Sequence, residues 1–123
     1  MKRFFVLPLL VLLVSASSLF AQNAIKNVVV IAPSTKNYEA ARDIITRSGW
    51  TETELRYADA VLVVINSDLK NPLSEHYQKY MSLKTEAETM PKVTSNHWHV
   101  YVYDILPDST LTVRSHSVSV GSI

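Results

Sequence analysis

The sequence predicts a small α/β domain of order β-α-β-α-β-β with a mixed four-stranded sheet. Three observations carry that class. Ala60-Val61-Leu62-Val63-Val64-Ile65 is an apolar run with no polar break, bounded by Asp59 before and Asn66-Ser67-Asp68 after. A run this short and this apolar suits a strand buried on both faces. Helical spacing recurs on either side of it, and strands joined through helices imply parallel neighbours. His97 to Val120 then alternates about Pro107-Asp108-Ser109-Thr110, the pattern of an antiparallel hairpin.

The chain begins with an export signal. Lys2 and Arg3 form a positive start, Phe4 to Val14 an apolar core, and Ser15 to Ala21 a cleavage region. The apolar core is shorter than the roughly 20 residues a membrane span needs. Cleavage after Ala21 leaves residues 22–123 as one domain, large enough for its own core. The short form is similar to bacterial signals, so the address is periplasmic or secreted, with no membrane attachment after cleavage. Of 12 basic residues, 10 remain beside 11 acidic ones, a net charge near −1. No dense basic run survives, which argues against nucleic acid and anionic membrane as partners. The chain has no cysteine. Disulfides, thiol redox chemistry, a thiolate-bound metal and a lipid at the cleavage site are all excluded.

Asn27 to Ala32 is the first strand, broken by Pro33 to Asn37. Asn37 is the expected cap of a helix through Arg47, with Tyr38, Ala41, Ile44 and Ile45 on its inner stripe and Glu39 in its first turn. Gly49 suits its left-handed stop. Trp50 to Tyr57 reads as a connection, Trp50 lying against that helix. After the central strand, Asn71 caps a second helix with Pro72 in its first turn. Leu73, Tyr77, Tyr80, Leu83, Ala87 and Met90 line one face of it, and Pro91 ends it. With Asp108-Ser109 as a two-residue turn, Tyr101 faces His116 and His99 faces Val118.

This order resembles the thioredoxin-like fold. Val28-Val29-Val30-Ile31-Ala32-Pro33-Ser34 is also similar to the start of an uncharacterised family of exported, cysteine-free thioredoxin-like proteins. The resemblance implies that the strand from His97 runs antiparallel beside the strand from Asn27. Where thioredoxins carry their redox cysteines this chain reads Ser34-Thr35-Lys36-Asn37, and Asn96-His97 stands in place of the proline before the third strand. No redox site carries over. The closing helix is missing too, which would leave the hairpin face, with Tyr101, Tyr103, Val118 and Val120, uncovered. The alternative architecture is a flavodoxin- or TIR-like parallel sheet.

Three functional readings follow. The first is a non-redox interaction module that takes a protein partner or a second copy of itself through the hairpin face. The second is an enzyme. Tyr57 to Ser67, followed by a helix bearing Glu75, resembles nucleoside-processing and TIR-type domains, and that resemblance implies a glutamate handling a ribose. Ser67, Asp68 and Glu75 would be its residues, although Asn71, Ser74 and Glu75 are equally explained by helix capping. The third is metal binding by His97, His99 and His116, which share one sheet face in the expected register. A one-residue change in the turn would send His116 to the other face. No cofactor is called for. The only glycines, Gly49 and Gly121, cannot make a phosphate cradle, and no Gly-x-Ser-x-Gly elbow occurs.

Overall fold

The structure is a computed structural model that describes residues 24–75, 78–91 and 94–121. The expected export signal in residues 1–21 lies outside these residues, as does Tyr77. Strands β1 (Asn27–Ile31), β2 (Thr51–Glu52), β3 (Ala60–Asn66), β4 (Gln78–Lys79), β5 (His97–Ile105) and β6 (Thr110–Val120) form one sheet in the order β2-β1-β3-β5-β6-β4. Helices α1 (Thr35–Ser48) and α2 (Tyr80–Glu88) complete the fold, with a 3₁₀ turn at Leu55–Tyr57. The class is α/β with a mixed sheet, as the sequence predicts, but the sheet has six strands rather than four. The two additions are two-residue strands; Thr51 to Glu54 alternates as a strand would but reads as a connection in the sequence, and Gln78–Lys79 carries no alternation.

Strand β3 is the centre. Residues 60 to 65 are all buried, and their side chains alternate between two cores. Ala60, Leu62 and Val64 meet α1 through Ala40, Ala41 and Ile45. Val61, Val63 and Ile65 meet α2 through Leu83 and Ala87. One helix therefore covers each face, which satisfies a strand that is apolar on both sides. Just ahead of β3, the Asp59 carboxylate accepts the backbone N–H groups of Lys26 and Asn27 at 3.0 and 2.9 Å. Those bonds hold its pKa below the usual carboxylate value and tie β3 to the start of β1.

Strand order departs from the thioredoxin-like arrangement. β1 pairs in parallel with β2 on one side and β3 on the other, so both its edges are taken. β5 lies antiparallel to β3 instead. The antiparallel half of the sheet equally rules out the flavodoxin- or TIR-like alternative.

Both helix starts differ from expectation. Ser34, not Asn37, caps α1, its hydroxyl accepting from Asn37 N–H at 3.1 Å. Asn37 is buried within the first turn, and Glu39 falls beyond that turn. Tyr38 leaves the core and donates its hydroxyl to Glu52 at 2.6 Å. Gly49 ends α1 in the left-handed region, and Trp50 joins the α1 core, as expected. α2 begins at Tyr80, not near Pro72. Residues 67–75 form a loop, because tertiary partners hold its backbone. Leu73 N–H donates to the Tyr101 hydroxyl at 3.3 Å, Tyr103 donates to the Ser74 carbonyl at 2.9 Å, and Ser74 N–H donates to Glu86 at 3.3 Å.

The hairpin turn is longer than Asp108-Ser109. Leu106 N–H bonds the Thr110 carbonyl at 2.8 Å, so Pro107, Asp108 and Ser109 form a three-residue loop, Ser109 at φ 71°. That change alone would move His116 to the opposite face. A bulge between Val102 and Tyr103 in the β5 pairing absorbs it: Tyr103 pairs with Val113 and Val102 with Ser115, leaving Arg114 as the extra residue. Beyond the bulge the expected register returns, Tyr101 opposite His116 and His99 opposite Val118.

Leu62 is fully buried between α1 and the sheet. Leu62→Ala is expected to cost about 2–5 kcal/mol in urea unfolding, whereas Ser34→Ala, which removes only a cap, is expected to cost about 1 kcal/mol. Equal losses in the two variants would contradict this placement of the core.

Candidate functional site

The expected enzyme residues and the expected metal residues belong to one cluster. The loop after β3 folds over the inner face of the hairpin, bringing Ser67, Asp68 and Glu75 against His97, His99 and His116. This face is not open, contrary to the expectation from the missing last helix. Tyr101 and Tyr103 are fully buried, and His99 is 1% exposed. Val118 and Val120 stay out, at 47% and 71% exposed, as does His97.

Burial forces each polar group here to find a partner. His99 Nε2 lies 3.0 Å from the Ser67 carbonyl. His99 Nδ1 lies 2.9 Å from His116 Nε2, and His116 Nδ1 lies 3.2 Å from Glu75 Oε2. The chain of contacts determines its own protons. A carbonyl only accepts, so His99 donates from Nε2. A carboxylate only accepts, so His116 donates from Nδ1. The contact between the rings needs one hydrogen more. Burial lowers the His99 pKa, the hydrogen bond to the Ser67 carbonyl opposes that shift, and the nearby charges of His116 and His97 add to it. The Tyr101 ring stacks on His116 with centroids 3.9 Å apart and planes 9° from parallel.

This arrangement narrows the chemistry. Ring centroids of His99 and His116 are 5.2 Å apart with the nitrogens meeting between them. A separation of 2.9 Å suits a shared hydrogen. Two metal bonds in line, each about 2.0–2.1 Å long, would need the nitrogens about 4 Å apart. His97 turns instead to Asp68, 3.6 Å away. Among the described residues no group of three or more His, Asp or Glu side chains is placed to hold a metal ion. Both nitrogens of His99 and of His116 are engaged, and this chain of contacts ends on the Ser67 carbonyl. The Ser67 hydroxyl accepts from Leu69 N–H at 3.0 Å, and Asp68 accepts from the Ser95 hydroxyl at 2.7 Å. What the cluster does is fasten the loop to the hairpin, with the Tyr101 and Tyr103 hydroxyls as further ties.

Asn37, in the first turn of α1, and Asn66, at the carboxyl end of β3, meet beyond the carboxyl end of β1. Asn37 donates to Asn66 at 2.9 Å across the junction, beside a cavity of about 130 Å³ lined also by Pro33, Ser34, Ile65 and Met90. α1 leaves this point for one face and α2 covers the other, so it is the crevice where open α/β sheets bind ligands. Ser67, Asp68 and Glu75 turn away from it toward the hairpin. At the far end of the sheet an open groove of about 800 Å³ runs between Leu55, Arg56, Tyr80, Met81, Ile105 and Leu106.

Because burial depresses the His99 pKa, its protonation opposes the fold. Stability is fully present above the unfolded value of 6.5 and is lost as pH falls through the lower folded value. Thermal unfolding is expected to show this acid loss, with a shallower slope in His99→Gln; an unchanged slope would remove His99 as its source. Tyr101→Phe takes the hydroxyl from Leu73 N–H in a buried setting and is expected to cost about 1–3 kcal/mol in denaturant unfolding.

No protein-family model matches the chain, and no curated protein or solved structure is significantly similar to it.

Proposed function

We propose that this chain is a non-enzymatic, non-redox interaction module that binds a protein partner by strand addition along the outer edge of β6. On the reading of residues 1–21 as an export signal, it does so in the periplasm or outside the cell. The observation that carries the proposal is the state of that edge. β6 is 11 residues long, yet among the described residues its outer side is paired only at Thr110 and Leu111, by β4. Beyond the bulge at Arg114, Ser115 to Val120 presents backbone donors and acceptors with no proline, no lysine and no acidic residue to guard them. Val118 and Val120 add exposed apolar surface beside it. An unguarded edge with alternating side chains is what an extended segment recognises, through main-chain hydrogen bonds and side-chain contacts at every second residue.

The surface thus shifts from the hairpin face to the hairpin edge, since the loop over residues 67–75 already occupies the face. A nucleoside- or sugar-processing role at Ser67–Glu75 has less support, because the imidazoles there are committed to holding the loop.

A six-residue Thr-Val-Thr-Val-Thr-Val peptide is expected to shift the amide signals of Thr112 to Val120 in an NMR titration, and Val118→Lys is expected to abolish the effect. Shifts confined to the cavity at Asn37 and Asn66, or none at millimolar peptide, would count against strand addition.

A further inference from the structure

We infer that the partner at this edge is a second copy of the same chain, paired antiparallel through β6 about a two-fold axis at Val118. The inference rests on the strand-addition reading and adds the identity of the occupant. Its basis is self-complementarity. Ser115-His116-Ser117-Val118-Ser119 places serine at every second position, so its polar and non-polar sides alternate alike in both directions. The register with β5 puts Ser115, Ser117 and Ser119 on the α1 side, opposite Val102, Val100 and Trp98. His116, Val118 and Val120 lie on the other side, opposite Tyr101, His99 and His97.

An antiparallel copy centred on Val118 sets Val118 against Val118 of the second copy. Ser117 then meets Ser119, and His116 meets Val120. Hydroxyls face hydroxyls and valines face valines, both favourable cross-strand combinations. Side chains directly opposite in such a pair point to the same face, so the two copies extend one sheet without reversing either surface.

Charge points the same way. From Ser115 to Val120 the only ionisable side chain is His116, and in this register it meets Val120 rather than its own copy. Arg114 lies beyond the overlap, at the bulge, with its guanidinium 2.8 Å from Asp104. With no acidic, lysine or arginine side chain in the overlap, the edge does not select a partner of opposite sign, and His116 is kept from its own copy. A two-fold pairing of this kind closes on itself, using the same patch in both molecules. The opposite edge of the sheet differs, since β2 there is two residues long and carries Glu52.

The absence of cysteine allows a direct test. The purified protein is expected to show a concentration-dependent dimer by sedimentation equilibrium. Val118→Lys is expected to raise its dissociation constant at least tenfold with an unchanged melting temperature, since Val118 is half exposed. Val118→Cys is expected to form an intermolecular disulfide under mild oxidation, much faster than Lys36→Cys on the exposed side of α1. A monomer at millimolar concentration, or cross-linking of Val118→Cys no faster than that of Lys36→Cys, would overturn the second copy. If the Thr-Val peptide still shifts the β6 amides of such a monomer, strand addition stands and only the partner is wrong; if the peptide fails too, both readings fall.

Discussion

A strand with no polar side chain on either face must be covered twice and paired along both edges, and β3 imposes that demand on the rest of this chain. Burying a Val, Leu or Ile side chain contributes about 1.5–3 kcal/mol, several times an exposed ion pair such as Arg47–Asp43. Five such side chains in a row, Val61 to Ile65, therefore outweigh the local preferences of the loops around them. α1 covers one face and α2 the other. β1 takes one edge in parallel and β5 the other in antiparallel sense. The mixed character of the sheet is thus set at its centre.

The hairpin brings polar residues into that core at a cost that only hydrogen bonds offset. His99, Tyr101 and Tyr103 alternate along β5 on the same side as Val61 and Val63 of β3. Their polar atoms are buried with them, and the backbone of residues 67–74 answers them. The dependence is mutual. The loop keeps its course because the tyrosines and His99 hold it, and those side chains tolerate burial because the loop is there. Glu75 closes the arrangement, its Oε2 lying 3.2 Å from His116 Nδ1. The cluster thereby links the end of the central strand to the middle of β6, whose other side, among the described residues, is paired only at Thr110 and Leu111.

The two ends of the sheet are guarded unequally. β2 and β4 are both two-residue strands that blunt an edge. β2 stands beside a five-residue strand and covers a large part of it, whereas β4 stands beside an eleven-residue strand and covers little. The bulge at Arg114 turns β6 between its covered and uncovered parts, so the uncovered part runs on past β4 with serines on one side and valines on the other.

Local chemistry alone determined much of this protein. The apolar run of β3, the stripe of Ala41, Ile44 and Ile45, the glycine stop at Gly49 and the alternation of the hairpin are short-range patterns, and each forms where its pattern lies. The lack of cysteine and of a glycine-rich loop bounds the chemistry just as directly. Tertiary structure decided the rest, because those choices depend on residues far apart in the chain. Pro72 at a first-turn position favours a helix locally, but Tyr101 and Tyr103, about thirty residues on, hold that segment as a loop. The turn at Pro107 to Ser109 and the bulge at Arg114 each shift the register by one, and only their sum returns His116 to His99. The strand order was equally beyond pattern, since a strand's sequence says that it is buried but not which strand lies beside it. Pairing is chosen by which edges remain free once the two cores have closed around β3.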